Sequence, residues 1–343
     1  MEKQTKKFFI AEYLLKEKVY HGGIGNVDIE KTLLQYAYKP IYLPFQQDFS
    51  IKAKIIRAGF LIKTFFLTPA NSLLVFQMPL YAILSRTMIR LLRFRKSVKK
   101  ICILSDIDGL RDDNKRLLET EVLFFRSADY FITHNDMMKN WLMKQMPGAK
   151  VSNHEFFPFL TPPPIQKQLK SKTIVFAGNL EKSKFLNDLW KIGSVEGLLF
   201  NLYGEGYLEN EKNKINTVFK GIYEAYDLPQ HIDGSFGLVW DGDSIEDING
   251  AYGNYLRYNS PHKLSLYLVA GLPVIAHTDA ACALLIKKYN IGFTVNTLYE
   301  IADKINKLHE DEYQAMHERC LELGQKISTG ETLINALKAL SIH

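Results

Sequence analysis

Short apolar runs that stop abruptly at glycine or polar residues recur along this chain, and stretches of helical spacing lie between them. Residues 7–11, 40–43, 73–77, 100–104 and 130–133 predict strands in the first half. The first leads to the glycine-rich loop His21-Gly22-Gly23-Ile24-Gly25-Asn26, after which a helix is predicted from near Val27 with Leu33, Leu34 and Ala37 on its inner side. The run KICIL enters Ser105-Asp106-Ile107-Asp108-Gly109, and 130–133 enters His134-Asn135. A second series follows at 173–176, 198–203, 236–240 and 274–276, ending in Gly178-Asn179, Gly204 and Asp241-Gly242-Asp243. Apolar strands that end in polar loops and feed helices describe parallel, doubly wound α/β sheets. Between the two series, FFPFLTPPPIQKQLKSK carries four prolines and reads as a connector. The pattern therefore predicts two Rossmann-like domains, 1–160 and 161–325, facing each other across a cleft lined by the carboxyl ends of both sheets. A helical tail, broken into two helices, begins near Asp311.

Composition fits a folded chain of two ordinary domains, with 47% hydrophobic and 23% charged residues in 343. Cys102, Cys282 and Cys320 are odd in number and widely spaced, so no disulfide framework or zinc site is predicted and a reducing cytoplasm is expected. The amino-terminal apolar stretch is soon interrupted by Glu12 and Lys16, unlike a signal peptide. Charge changes the picture regionally. Residues 1–160 hold 25 Lys+Arg against 15 Asp+Glu, whereas 49–105 hold 11 basic residues and no acidic one. Basic side chains mixed with Ile, Leu and Phe suit either the face of an anionic bilayer or a solvated pair of amphipathic helices. No run approaches a membrane span. No nucleic-acid motif accompanies the charge, so nucleic acid is not expected as a partner.

The segment 236–275 carries most of the chemistry. Ser260-Pro261 predicts a helix start, with His262 and Lys263 directly behind it and Leu264, Tyr267, Leu268 and Gly271 along one face. A helix amino terminus offers unpaired N–H groups and partial positive charge, so His262 and Lys263 there suit a phosphate. Gly178, Asn179 and Lys184, in the first turn of the second domain, suit a pyrophosphate; Lys184 could equally be a solvated helix charge. Gly23 and Gly25 would let backbone approach a ligand, although GxGxxG is absent. Asp106 or Asp108 could take a proton from a substrate hydroxyl, or could simply cap a helix. The DID and DGD triplets resemble metal motifs, but without the further oxygen ligands that a metal needs, no metal is expected. His134 is a possible acceptor-side residue, or a structural one.

FGLVWDGDS, GAYGNYLRYNSPHK and SLYLVAGLPVI, with SDIDGLR, ITHNDMM and VFAGNL in the same order, resemble the bacterial β-1,6-galactofuranosyltransferases of O-antigen synthesis. The related β-glucosyltransferases that extend GlcNAc on streptococcal serine-rich adhesins share the pattern. The resemblance covers nearly the whole chain. It implies a metal-independent GT-B fold with a UDP-sugar held mainly by the second domain, the acceptor on the first, and a last helix, 326–343, returning to the first. Carried over by position, Lys263 with His262 is the diphosphate contact, Asn179, Lys184, Tyr203 and Asp241 are donor-side residues, and the loop of Gly23, Gly25 and Asn26 closes over the phosphates. Close relatives have a histidine before the first aspartate of DID, where this chain has Ser105. The expected enzyme is an inverting hexosyltransferase of cell-surface glycan synthesis, using UDP-galactofuranose in preference to UDP-glucose or another UDP-hexose and needing no cofactor. Asp106 is expected as the base and Asp108 as the alternative. A glycan or lipid-linked saccharide is the expected acceptor, with a homo-oligomer at the inner face of the membrane. A nucleotide-sugar epimerase and a non-catalytic UDP-sugar-binding partner are the alternatives.

Overall fold

The computed structural model describes residues 5–14, 23–44, 48–164, 169–192, 197–208 and 214–342. They form two compact units. The first gathers the described residues of 1–134 with Lys139–His154 and Leu333–His343; the second gathers Asn135–Met138 and Glu155–Thr332.

The first unit holds six parallel strands, β1 (Lys6–Ala11), β2 (Lys39–Tyr42), β3 (Ser72–Met78), β4 (Val98–Leu104), β5 (Tyr130–Thr133) and β6 (Lys150–Asn153), in the order β2-β1-β3-β4-β5-β6. The connecting helices are α1 (Ile24–Gln35), α2 (Ile51–Leu67), α3 (Ile83–Leu92), the short α4 (Asp108–Arg111), α5 (Lys115–Phe125) and α6 (Asp136–Gln145). Central β3 and β4 are buried over most of their length, which is why they appear in the sequence as apolar runs rather than alternating ones. Strand β6 (KVSN) has no such run because it lies at the sheet edge and is only partly buried. Helix α1 starts at Ile24, three residues earlier than predicted. The expected glycine loop is instead a helix start with Gly23 at the N-cap, and Gly22 lies outside the described residues. Leu33 is buried as expected, but Leu34 is exposed and Ala37 sits past the helix end at φ 62°.

The second unit repeats the plan with β7 (Thr173–Ala177), β8 (Leu199–Tyr203), β9 (Thr217–Gly221), β10 (Phe236–Val239), β11 (Val274–His277) and β12 (Gly292–Val295), all parallel, in the order β12-β11-β10-β7-β8-β9. A 3-10 stretch, Lys184–Ile192, follows β7. Helices α7 (Leu228–His231), α8 (Gly250–Tyr255), α9 (His262–Val269), α10 (Ala283–Tyr289), α11 (Ile301–Lys307) and α12 (Glu310–Ser328) complete the unit, and α13 (Glu331–Ala339) follows. The strand order reverses between β7 and β10, the point at which an open parallel sheet opens a crevice at its carboxyl ends. Cys102, Cys282 and Cys320 are free and buried. No helix among the described residues is long and apolar enough to cross a membrane.

Candidate functional site

In the second unit, the reversal point brings three predicted residues together. Gly178 directly follows β7, Asp241 stands two residues beyond β10, and Lys263 projects from the first turn of α9. The Lys263 ammonium lies 3.0 Å from Asp241 Oδ2 and 3.4 Å from the Trp240 carbonyl oxygen. It also stands 4.3 Å from the centre of the Phe176 ring, whose π face favours a cation. Asp241 accepts a further hydrogen bond from Ser183 Oγ at 3.2 Å. The Lys263 side chain reaches the space over Gly178, where an added Cβ would stand 3.9 Å from Lys263 Cε. The largely buried ammonium is thus held in place by groups that an incoming anion could partly replace.

The other donor-side candidates separate into different roles. Lys184 pairs with Asp243 at 3.4 Å, and both side chains are more than half exposed, so this ion pair contributes little. Asn179 Oδ1 accepts from the Lys182 N–H at 2.9 Å and shapes its own turn. Tyr203 is buried; its hydroxyl accepts from the Asp233 N–H at 2.9 Å and donates to the His231 carbonyl at 3.3 Å, and burial pushes its pKa up to about 12. His262 packs against Phe157 and Phe159, with Nε2 3.3 Å from the Pro158 carbonyl oxygen. Burial pushes its pKa down to about 4, so the ring is neutral near pH 7 and Lys263 supplies the positive charge at this helix start. Ser183 and Phe176 belong to the site but had no signal in the sequence, because a lone serine and a strand phenylalanine are unremarkable there.

In the first unit, Asp106 and Asp108 follow β4 and share Arg111 of α4. Arg111 donates to Asp106 and lies 3.0 Å from Asp108 Oδ1. The capping position of α4 is Ile107, so neither aspartate caps that helix through its side chain. Asp108 helps to line a cavity of about 270 Å³ together with Tyr81, Arg86, Arg90, Thr120 and Glu121. Burial raises the Asp108 pKa, opposed by the Arg111 charge, and Tyr81 hydrogen-bonds to it. Glu121 accepts from the Asp108 N–H at 3.1 Å and the Gly109 N–H at 2.9 Å, and burial pushes its pKa up to about 7. Neither Asp106 nor His134 is among the residues described around this cavity. His134 is buried after β5, its ring 5.2 Å from that of His154, and burial holds its pKa well below the usual histidine range.

Gly23, Gly25 and Asn26 reach the same end of the first sheet by another route. The Asn26 carbonyl accepts from Gln77 Nε2 at 3.0 Å, and Gln77 Oε1 accepts from Ser105 Oγ at 3.1 Å. Ser105 therefore links the end of β4 through β3 to the start of α1.

Models of the glucosyltransferase 3-like N-terminal domain and C-terminal domain match residues 7–155 and 174–340. The chain is 32% identical to the β-1,6-galactofuranosyltransferase WbbI of Escherichia coli K12 over 259 residues, which are 73% of this chain and 72% of that one. It is 25% identical to glucosyltransferase 3 of Streptococcus gordonii over 225 residues, 64% of either chain. Among solved structures, sucrose-phosphate synthase from Thermosynechococcus elongatus aligns with a TM-score of 0.67 at 10% identity, covering 98% of both chains. Anabaena HepE in complex with UDP and glucose aligns with a TM-score of 0.62 at 13% identity, covering 99% of this chain and 100% of that one. At such identities the likeness is one of fold, and that fold is GT-B.

Proposed function

The chain belongs to the glucosyltransferase 3-like family of glycosyltransferases, and from that premise we propose that it moves a hexose from a UDP-sugar to a glycan hydroxyl, with galactofuranose the favoured sugar. The observation that carries the proposal is the cluster of Gly178, Asp241 and Lys263 at the point where the second sheet reverses its order. A nucleoside diphosphate requires a cation, room for its oxygens and access to backbone N–H groups, and this cluster with the start of α9 offers all three. The similarity to WbbI favours galactofuranose, and the lower similarity to glucosyltransferase 3 makes glucose the second choice. The free, buried cysteines suit a reducing compartment.

In this mechanism the acceptor oxygen attacks the anomeric carbon as the bond to the diphosphate breaks, inverting the configuration. The acceptor proton passes to a carboxylate after β4. Both aspartates pair with Arg111, but Asp108 suits this role better than Asp106, because it lines a cavity and burial raises its pKa. Lys263 exchanges part of its interaction with Asp241 for the leaving diphosphate, whose growing charge it stabilises.

A panel of UDP-galactofuranose, UDP-galactose, UDP-glucose and UDP-N-acetylglucosamine, with and without saccharide acceptors, tests the proposal by mass spectrometry of the products. Transfer or hydrolysis of UDP-galactofuranose is expected. Turnover of UDP-glucose alone would change the sugar and keep the reaction class; a rearranged UDP-sugar formed without acceptor would replace transfer by epimerisation. Lys263→Ala should lower kcat/KM by about 10²–10³-fold while the protein stays folded. A loss of less than about threefold would remove Lys263 from the leaving-group role.

A further inference from the structure

Helix α2 turns an apolar stripe outward. Ile51, Ile55, Ile62 and Phe66 recur at i, i+4, i+11 and i+15, so they share one face of the 3.6-residue repeat. All four are 61 to 77% exposed, whereas Ala53 is the only residue of the helix that is fully buried. The exposed lysines Lys52 and Lys63 flank the stripe on one side and Lys54 on the other. Single exposed aliphatic residues are ordinary, but a contiguous stripe along a helix is not.

The helix is held in this orientation at both ends. Ser50 Oγ accepts from the Ala53 N–H at 3.2 Å, and Arg57 donates to the Asp48 carbonyl at 2.7 Å. At the carboxyl end, the Arg95 guanidinium donates to the carbonyls of Phe65 and Thr68. Helix α3 packs beside α2, and its flanks add exposed Ile83 and Phe94, the latter with Arg93 4.8 Å from its ring centre.

We propose that the α2 stripe is a docking face for an anionic lipid bilayer, with Ile51, Ile55, Ile62 and Phe66 entering the interface and Lys52, Lys54 and Lys63 meeting lipid phosphates. Apolar residues on one face with lysines along its margins match both layers of such a surface. Charge favours lipid over a second copy of the chain. Residues 49–105 hold 11 basic residues and no acidic one, so pairing two such faces would set lysines against lysines. The helix lies on the bilayer and does not cross it.

Co-sedimentation of the full chain with phosphatidylglycerol vesicles and with phosphatidylcholine vesicles, without donor or acceptor, tests the docking face independently of catalysis. Binding to phosphatidylglycerol and much weaker binding to phosphatidylcholine are expected. Ile55→Glu with Phe66→Glu should reduce the bound fraction by about tenfold or more, and Lys52→Glu with Lys54→Glu and Lys63→Glu should do the same. These positions are exposed, and circular dichroism with a thermal melt checks that each variant is folded. The proposal is overturned if the wild type ignores phosphatidylglycerol, or if both variants bind as the wild type does. It is equally overturned if light scattering shows that the stripe substitutions dissociate an oligomer while vesicle binding stays absent.

Discussion

Glu30 and Glu121 are buried carboxyls whose oxygens, among the described residues, engage backbone rather than lysine or arginine. Glu30 accepts from the N–H groups of Glu12 at 2.8 Å and Leu14 at 2.9 Å, and it also takes the Tyr13 N–H. Glu121 does the same for Asp108 and Gly109. Each thus fastens the chain just beyond a strand, β1 or β4, at the end of the sheet where the base candidates lie. Burial outweighs these hydrogen bonds and pushes both pKa values up to about 7 from 4.5. A carboxyl with a raised folded pKa binds its proton more tightly when folded. Its contribution is therefore fully present below about pH 4.5 and is lost as the pH rises through about 7. The expected change is on the order of 1–3 kcal/mol per group. Urea unfolding of the wild type, Glu30→Gln and Glu121→Gln between pH 4.5 and 8 measures it: the wild type should lose stability across that window more steeply than either variant. Parallel curves would show that the two carboxyls do not titrate there. Neither role is legible in the sequence, where a glutamate on a helix reads as a solvent-facing residue and its backbone partners lie 12 to 18 positions away.

At the scale of elements, legibility followed burial. Strands covered on both faces, such as β4, β5, β10 and β11, appear as apolar runs whose ends shift by at most two residues in the structure. Edge strands β6, β9 and β12 leave residues partly exposed and no strand is predicted there, whereas edge strand β2, exposed to a similar degree, is predicted because Ile41-Tyr42-Leu43 still forms an apolar run. Loop geometry was less legible still. Gly204 ends β8 at φ +131°, and a Cβ there would overlap the Gly178 carbonyl oxygen. The two glycine turns beside Lys263 therefore depend on close backbone contact, a constraint that single glycines do not announce. Gly204→Ala should destabilise the protein by roughly 3 kcal/mol and weaken binding of UDP. Gly59 is the control, since it lies inside α2 with open space around its Cβ position. Gly59→Ala should raise stability by about 0.5–1 kcal/mol through helix propensity alone. Equal melting temperatures for the two variants would refute the close-contact argument.

For the molecule as a whole, the two alternating series and the proline-rich stretch between them already imply two Rossmann-like sheets. The sequence drew its site candidates from charged residues at a strand end or a helix start, such as Asp241, Lys263 and, after β4, Asp106 ahead of Asp108. The site was illegible where desolvation decided the role, as at His262 and Tyr203. The course of the carboxyl terminus is not legible in the pattern of the chain itself and is implied only by the family resemblance, which returns 326–343 to the first domain. Gly330, at φ +71°, separates α12 from α13, and Leu333–His343 group with the first unit. Leu333, Ile334 and Leu337 are buried, and Ser152 on edge strand β6 donates to the Ala336 carbonyl at 2.8 Å. Helix α13 thus covers an edge that would otherwise present apolar surface and an unpaired hydroxyl. Three buried aliphatic side chains contribute on the order of 4–8 kcal/mol, comparable to the whole stability of an ordinary domain. A chain ending at Gly330 should therefore lose the first unit while the second stays folded. Hydrogen–deuterium exchange distinguishes the two: amides of β5 and β6 should lose protection, while those of β10 and β11 keep it. Uniform protection in both units would mean that α13 is dispensable, and uniform loss would mean that the two units unfold as one.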